Sequence, residues 1–167
     1  MSLVRRATTG YAEEVLRLRQ VMIDTLPGGD SSTHWHADSL PALRLKSADA
    51  DVDFAAFVVD HPDRPGALAA LVVGTVDHRI GKAGNPGGPA GYVFSVATDP
   101  GARRWGSPAR GCSSVGEGTR ACMDELLAWF RDQGVGQVML TASAEAEPLY
   151  ASLGFVHKPD PTMILKL

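Results

Sequence analysis

The spacing of apolar residues in the first part of the chain predicts a strand followed by two helices. Leu3–Arg6 has the composition of a short strand. Val15, Leu18 and Met22 then recur at helical intervals, which places them on one face of an amphipathic helix. Beyond a polar stretch, a second helical segment is predicted near Asp38–Lys46.

The middle of the chain has the pattern of an antiparallel unit. Val52–Asp60 and Ala67–His78 are rich in apolar and β-branched residues, and a turn containing Pro and Gly separates them. This arrangement predicts a hairpin. After a loop rich in Gly and Pro, Gly91–Thr98 is the next predicted strand, and Asp99-Pro100 ends it.

The last part of the chain returns to alternating helices and strands. Thr119–Gln133 is strongly amphipathic and predicts a long helix, and Val135–Thr141 reads as a buried strand. A short helix ends at Leu153, and Phe155–Lys158 and Thr162–Leu167 are predicted as closing strands. The order β-α-α-β-β-β-α-β-α-β-β predicts a single mixed α/β domain.

Length and composition fit one domain with a substantial core. The chain has 167 residues, of which 44% are hydrophobic. No apolar run approaches the roughly 20 residues that a membrane-spanning helix needs. The first residues lack the uninterrupted apolar block of a signal peptide, so we expect a cytoplasmic protein.

Charge, cysteine and histidine content argue against several classes of protein. The net charge of −3 gives no reason to expect binding to nucleic acid or to a membrane surface. Cys112 and Cys122 form neither a disulfide framework nor a Cys-x-x-Cys pair, and we expect Cys122 to be a small core residue. The histidines do not occur at a spacing that specifies a metal, so no metal site is predicted.

Two short motifs carry the candidate chemistry. Ser113–Arg120 is a glycine turn that opens directly into the long predicted helix. Free backbone N–H groups at the positive end of a helix suit a pyrophosphate. In Leu149–Phe155, a tyrosine precedes a Gly-Phe break by one helical turn, which puts a phenol near the same end of the sheet. Together the motifs predict an enzyme that uses a phosphorylated cofactor.

From Gly91 to Phe155, the ordered motifs resemble the GNAT family of acyl-CoA-dependent N-acetyltransferases. Its pyrophosphate motif, Arg/Gln-x-x-Gly-x-Gly/Ala, corresponds to Ser113-Ser114-Val115-Gly116-Glu117-Gly118. Its second motif, Ala-x-x-Leu-Tyr-x-x-Leu-Gly-Phe, is matched by Ala146, Leu149, Tyr150, Leu153, Gly154 and Phe155. The resemblance implies one GNAT domain over residues 1–167. It also implies a central mixed, mostly antiparallel, twisted sheet flanked by helices, and acetyl-CoA as the cosubstrate.

The resemblance also implies roles for particular residues. Val96 and Thr98 would use backbone groups to align the pantetheine arm, with the Val96 N–H facing the thioester carbonyl as it gains negative charge. Ser143 occupies a position where many family members have an asparagine near the pantetheine, and Tyr150 would protonate the departing CoA thiolate. The pyrophosphate would accept hydrogen bonds from the main-chain N–H groups of Gly116, Glu117, Gly118, Thr119 and Arg120.

The phosphate motif departs from the family pattern. Its first position is a serine, and the loop ahead of it is longer than is usual in the family. This loop contains a second candidate register, Arg103-Arg104-Trp105-Gly106, but Pro108 and Gly111 disfavour a helix starting there. We therefore place the phosphate turn at Gly116–Gly118. Either an arginine of the loop (Arg103, Arg104 or Arg110) folds back to replace the missing side chain, or the insert is a mobile flap.

The general base cannot be read from the sequence. The predicted strand Gly91–Ala97 has no carboxylate, although several family members have one there. His34, His36, His78 and Asp99 are candidates, and a chain of water molecules is an equal alternative. The base therefore stays unassigned.

The segment between the first two helices usually lines the acceptor site in this family. Here it runs over Gly28–His36, where Trp35 either forms a wall for a small amine or amino-acid-like acceptor or only anchors a surface loop. The leading hypothesis is an N-acetyltransferase in which a primary amine of a small acceptor attacks acetyl-CoA directly. The alternative is a catalytically inactive module of the same fold that binds CoA or a protein partner.

The sequence excludes one other nucleotide-binding fold and leaves the oligomeric state open. A Rossmann-type nucleotide site does not fit, because the full Gly-x-Gly-x-x-Gly pattern is absent. GNAT proteins often form homodimers, and the sequence does not decide the oligomeric state.

Overall fold

A computed structural model describes residues 3–48, 53–102 and 116–167 of the chain. The strands and helices are β1 (Val4–Arg6), α1 (Ala12–Asp24), α2 (Trp35–Lys46), β2 (Phe54–Asp60), β3 (Leu68–His78), β4 (Pro89–Thr98), α3 (Glu117–Asp132), β5 (Val138–Leu140) and α4 (Glu147–Ser152). The strands form one sheet in the order β1-β2-β3-β4-β5. Neighbouring strands are antiparallel, except that β4 and β5 run parallel.

Helices cover both faces of this sheet. On one face α1 buries Val15 and Leu18 against the sheet, as the helical spacing predicts. On the other face α3 buries Cys122, Leu126 and Phe130. Burial raises the pKa of the Cys122 thiol to about 12, so this cysteine is an unreactive core residue, as expected.

Two glycines allow α3 to approach the sheet closely. The Phe130 ring lies over Gly74 on β3 and Gly91 on β4. A Cβ atom on Gly74 would lie 2.7 Å from Phe130 Cζ, and one on Gly91 would lie 2.8 Å from Phe130 Cε1. The absence of side chains at these two positions makes room for the aromatic ring.

The predicted fold class is confirmed, and the order of elements agrees from β1 to α4. The prediction is wrong at the C-terminus. Neither of the two predicted closing strands, Phe155–Lys158 and Thr162–Leu167, is formed there. Neither predicted segment pairs with a strand of the sheet, which ends at β5 in the described residues. The apolar residues of the segment are also exposed, with Ile164 at 86%.

None of the helices in the three described ranges is long and apolar enough to cross a bilayer.

Candidate functional site

The candidate site is a cleft that opens where β4 and β5 separate. The two strands pair only at Gly91↔Val138, Tyr92↔Met139 and Val93↔Leu140. Directly after Val93, the pairing of β4 with β3 shifts by one residue, so Phe94 is an extra residue in a β-bulge. A bulge bends a strand and increases its twist. The second half of β4 therefore leaves β5.

The backbone of β4 presents polar groups to this opening. The N–H of Asp99, just beyond β4, donates to Ala69 O on the β3 side at 2.8 Å. Because successive amides of a strand point to opposite edges, the N–H groups of Val96 and Thr98 point away from β3. In the described ranges neither residue pairs with β5. Both predicted backbone positions thus face the open edge.

The cleft brings together side chains from four parts of the chain. Among the predicted site residues, Val96, Ser143 and Tyr150 line it. The other lining residues are Met22, Thr25 and Leu26 at the end of α1, Tyr92 to Ser95 on β4, and Leu140, Thr141 and Ala146. Within the described residues, this lining contains no charged side chain.

Tyr150 is held in the cleft by the turn that follows α4. Gly154 adopts a left-handed φ of +94°, which returns the chain so that the Phe155 N–H donates to Tyr150 O at 3.0 Å. The two rings then pack edge to face, with centroids 5.9 Å apart. Burial raises the pKa of the Tyr150 phenol to about 12. The phenol is therefore protonated at neutral pH.

The predicted phosphate turn lies beside this cleft. Gly116 is the N-cap of α3, and its carbonyl accepts the N–H groups of Thr119 and Arg120 at 3.1 and 3.3 Å. The hydroxyl groups of Thr98 and Thr119 share a hydrogen bond of 2.7 Å, which joins the end of β4 to the first turn of α3. Arg120 Nη1 donates to Ser152 Oγ at 2.7 Å and so reaches α4.

Part of the predicted turn cannot be placed. Ser113–Val115, the arginines Arg103, Arg104 and Arg110, and Cys112 lie outside the described residues. The hypotheses of an arginine that folds back and of a flap stay predictions.

The carboxylate of Asp99 is buried, and both of its oxygens take part in hydrogen bonds or ion pairs. It accepts hydrogen bonds from Arg17 Nη1 at 2.7 Å and from the Gly101 N–H at 2.8 Å, and it pairs with Arg64 Nη2 at 2.6 Å. Burial raises the pKa of Asp99, but these partners together outweigh burial and lower it. A carboxylate held in this way is a poor general base.

The histidine candidates do not reach the cleft either. His78 lies opposite Pro89, at the far end of β4 from Val96, and contacts Asp53 at 2.9 Å. His34 is exposed, and His36 packs edge to face against Trp35; neither of them lines the cleft. The structure supplies no base from this set. Nor do the described residues contain a cluster of His, Cys, Asp or Glu suited to a metal ion.

Trp35 acts as an anchor for the segment between α1 and α2. Its indole N–H donates to Ser32 O at 3.0 Å and to Gln20 Oε1 at 3.1 Å. Gln20 is buried on α1 and also donates to Asp30 O at 2.9 Å. Of the two interpretations of Trp35, these contacts favour the structural one.

Arg19 is a residue that the sequence reasoning missed. It lies on α1, and its guanidinium donates to the hydroxyl of Ser95 and lies 5.4 Å from the centre of the Phe94 ring. Burial lowers the pKa of Arg19. A signal was present in the sequence, because Arg19 falls on the apolar stripe formed by Val15 and Met22.

Comparison with known proteins places the fold. No protein-family model matches the sequence, and no curated protein is similar to it in sequence. A GCN5-related N-acetyltransferase from Ralstonia eutropha JMP134 is similar in structure, with a TM-score of 0.74, 22% identity and 97% of each chain covered.

Two further solved structures are similar. One is a predicted acetyltransferase with acetyl-CoA from Clostridium acetobutylicum, with a TM-score of 0.75, 16% identity and coverage of 97% of this chain and 94% of that one. The other is glucosamine-6-phosphate N-acetyltransferase from Arabidopsis thaliana, with a TM-score of 0.67, 15% identity and coverage of 97% and 96%. The chain has the fold of the GCN5-related N-acetyltransferases, the GNAT family that its motifs resemble.

Proposed function

We propose that this chain is an acetyl-CoA-dependent N-acetyltransferase that acts on a primary amine of a small acceptor, with residues 1–167 as one acyltransferase domain. The observation that carries the proposal is the separation of β4 from β5, with the N–H groups of Val96 and Thr98 directed into the opening beside Tyr150. Structural neighbours that include an acetyltransferase with acetyl-CoA and a glucosamine-6-phosphate N-acetyltransferase support a small acceptor.

The residues present fit acetyl-CoA. Its pantetheine arm is an extended amide chain, and the open edge of β4 offers the strand-like partners that such a chain needs, with Ser143 on the opposite wall. Its pyrophosphate is anionic and suits the N-terminus of α3, where the N–H groups of Glu117 and Gly118 are the proposed donors. The N–H groups of Thr119 and Arg120, which were predicted as further donors, donate to Gly116 O instead. The hydrogen bond between Thr98 and Thr119 fixes these two binding regions relative to each other.

The chain's own residues have separate tasks in the transfer. When bound, acetyl-CoA would supply a thioester: a C–N bond to the amine forms, the C–S bond breaks, the amine releases one proton to water, and the thiolate takes one from Tyr150, which regains it from solvent. The Val96 N–H donates a hydrogen bond to the carbonyl oxygen as negative charge develops on it. The Tyr150 phenol donates its proton toward the departing sulfur, and its raised pKa keeps that proton available over the whole neutral range.

Binding and turnover test this proposal separately. Acetyl-CoA should raise the melting temperature, because a ligand that binds only the folded state stabilises it. Tyr150→Phe should keep that rise while lowering kcat by about two orders of magnitude, the usual contribution of a positioned acid. Tyr11→Phe is the matched control, since Tyr11 packs against Arg5 and does not line the cleft.

Three results would contradict parts of the proposal. Full kcat in Tyr150→Phe would remove the proton-donor role. A rise in melting temperature without CoA release from any amine would favour a CoA-binding module without catalysis. No rise with acetyl-CoA would leave only a role in binding a protein partner.

A further inference from the structure

Arg19 is a half-buried cation that the proposed mechanism does not use. It lies on α1 one turn before Met22, donates to Ser95 Oγ and packs against the Phe94 ring. Met22, Phe94 and Ser95 all line the cleft. Arg19 does not itself line the cleft, but its guanidinium contacts two of the lining residues from the α1 side of the sheet, whereas Tyr150 packs in the core on the α3 side.

This cation lacks a counter-ion in the described part of the chain. Arg17, only two positions earlier, pairs with Glu14 at 2.8 Å and with Asp99 at 2.7 Å, and its pKa is raised. Arg19 has only the hydroxyl of Ser95 and the face of Phe94 as partners there. A guanidinium has five N–H donors, and withdrawing its charge from water without an anion is costly. A bound anion would satisfy both the charge and the remaining donors.

We infer that Arg19 binds the carboxylate of the acceptor, which is therefore a small molecule that carries both a primary amine and a carboxylate, such as an amino acid. This inference rests on the proposed function. The planar guanidinium matches a carboxylate in a bidentate manner. A single cation balances one negative charge, whereas a phosphate monoester carries nearly two.

The rest of the cleft agrees with this class of acceptor. No acidic side chain is present in the lining that the structure describes, so polycationic acceptors find no counter-charge there. Ser95 and Val96 are consecutive on β4, so the anion-binding group and the proposed thioester position are neighbours. An acceptor that spans both needs only a few bonds between its amine and its carboxylate.

A panel of matched acceptors tests the inference. The protein α-amino acids are each assayed for acetyl-CoA-dependent CoA release beside their primary amides and their decarboxylated amines, with phosphoethanolamine beside ethanolamine as a phosphate arm. The acids should be the better substrates. Arg19→Gln should raise KM for the acids by about tenfold to a hundredfold, as expected for a lost charge-assisted hydrogen bond, with kcat and the amides little affected.

Control variants separate recognition from folding. Arg44→Gln removes an exposed arginine on α2 that contacts Glu13 at 3.4 Å, and it should leave the preference for acids intact. Arg19→Met keeps an unbranched apolar side chain and removes the unpaired charge, so its melting temperature without ligand should equal or exceed that of the wild type. The rise in melting temperature with acetyl-CoA should be unchanged in both Arg19 variants.

Specific results would overturn the inference. Equal use of acids and amides, an equal loss of both in Arg19→Gln, or a preference for phosphoethanolamine would each remove the carboxylate assignment. If no amine is turned over, the proposed function fails, and N-acetyl amino acids added with CoA then decide the role of Arg19. A rise in melting temperature that needs their carboxylate and is lost in Arg19→Gln supports it, and no such rise refutes it.

Discussion

At the scale of single residues, burial and partners decide what each charged group on α1 and β4 can do. Arg17 and Arg19 differ by two positions on one helix, yet among the described residues carboxylates neutralise Arg17 and none pairs with Arg19. Asp99 follows β4 directly, where a base would be useful, but its carboxylate forms ion pairs with the guanidinium groups of Arg17 and Arg64. Proximity to the site is therefore not sufficient for a catalytic role.

The ion pairs of Asp99 predict that a buried ion pair contributes more to the free energy of unfolding than an exposed one. Asp99→Asn leaves Arg17 and Arg64 without their shared anion and should lower the free energy of unfolding by about 2–3 kcal/mol. Asp60→Asn is the matched control, because Asp60 pairs with Arg5 but its side chain is 57% exposed, and it should cost less than about 1 kcal/mol. Urea unfolding of both variants measures the difference, and equal costs would contradict the buried network.

The pH dependence of the Asp99→Asn effect follows from the pKa of Asp99. That pKa is lower in the folded state than its unfolded value of about 3.9, so the stabilisation is complete above this value. It is lost as the pH falls through the lower folded pKa. The difference in unfolding free energy between wild type and Asp99→Asn should therefore shrink below about pH 4. A difference that grows on acidification would show the opposite shift.

At the scale of elements, the position of α3 depends on the glycines beneath Phe130. The N-terminus of α3 reaches the end of β4 through Thr98 and Thr119, while its other end lies against Gly74 and Gly91. A change under the ring would shift the helix that carries the proposed phosphate turn.

Gly91→Ala tests this close approach. The added Cβ would lie 2.8 Å from Phe130, so we expect a loss of about 1–3 kcal/mol in the free energy of unfolding from overpacking. Gly10→Ala is the control, since a Cβ there meets no atom within 4 Å. Thermal unfolding compares the two variants. A Gly91→Ala protein as stable as Gly10→Ala would show that the ring moves aside freely.

At the scale of the whole molecule, the proposed cosubstrate site exists only where three elements converge. β4 would supply strand-edge N–H groups, α3 its first turn, and α4 the phenol, and two side-chain hydrogen bonds connect these elements. Because each element would hold a different part of acetyl-CoA, fragments of the molecule should affect the elements separately.

Hydrogen exchange with fragments of the cosubstrate measures this division. Acetyl-CoA should slow amide exchange at Val96, Thr98 and Gly118, because bound hydrogen-bonded amides exchange less. S-acetylpantetheine, which has no pyrophosphate, should slow exchange on β4 alone. Protection at Gly118 by S-acetylpantetheine, or no protection there by acetyl-CoA, would mean that the pyrophosphate binds elsewhere. The alternative phosphate motif at Arg103–Gly106 predicts this second outcome.

Much of the fold was predictable because its signals are local. The helix over Thr119–Gln133 and the break at Gly154 follow from apolar spacing and from a glycine that adopts a positive φ. The closing strands were not predictable in the same way, since alternation in Thr162–Leu167 does not provide a partner strand.

Local sequence signals predicted the order of elements from β1 to α4, the glycine at the start of α3 and the position of Tyr150 before a Gly-Phe turn. These features depend on backbone preferences within a few residues. Three other features emerge only in the folded chain: β4 leaves β5 after Val93, Arg17 and Arg64 pair with Asp99, and Arg19 contacts two residues of the cleft without an acidic partner in the described ranges. The reason is physical: pairing between strands and neutralisation of charge depend on groups far apart in the chain, which only the folded packing brings together.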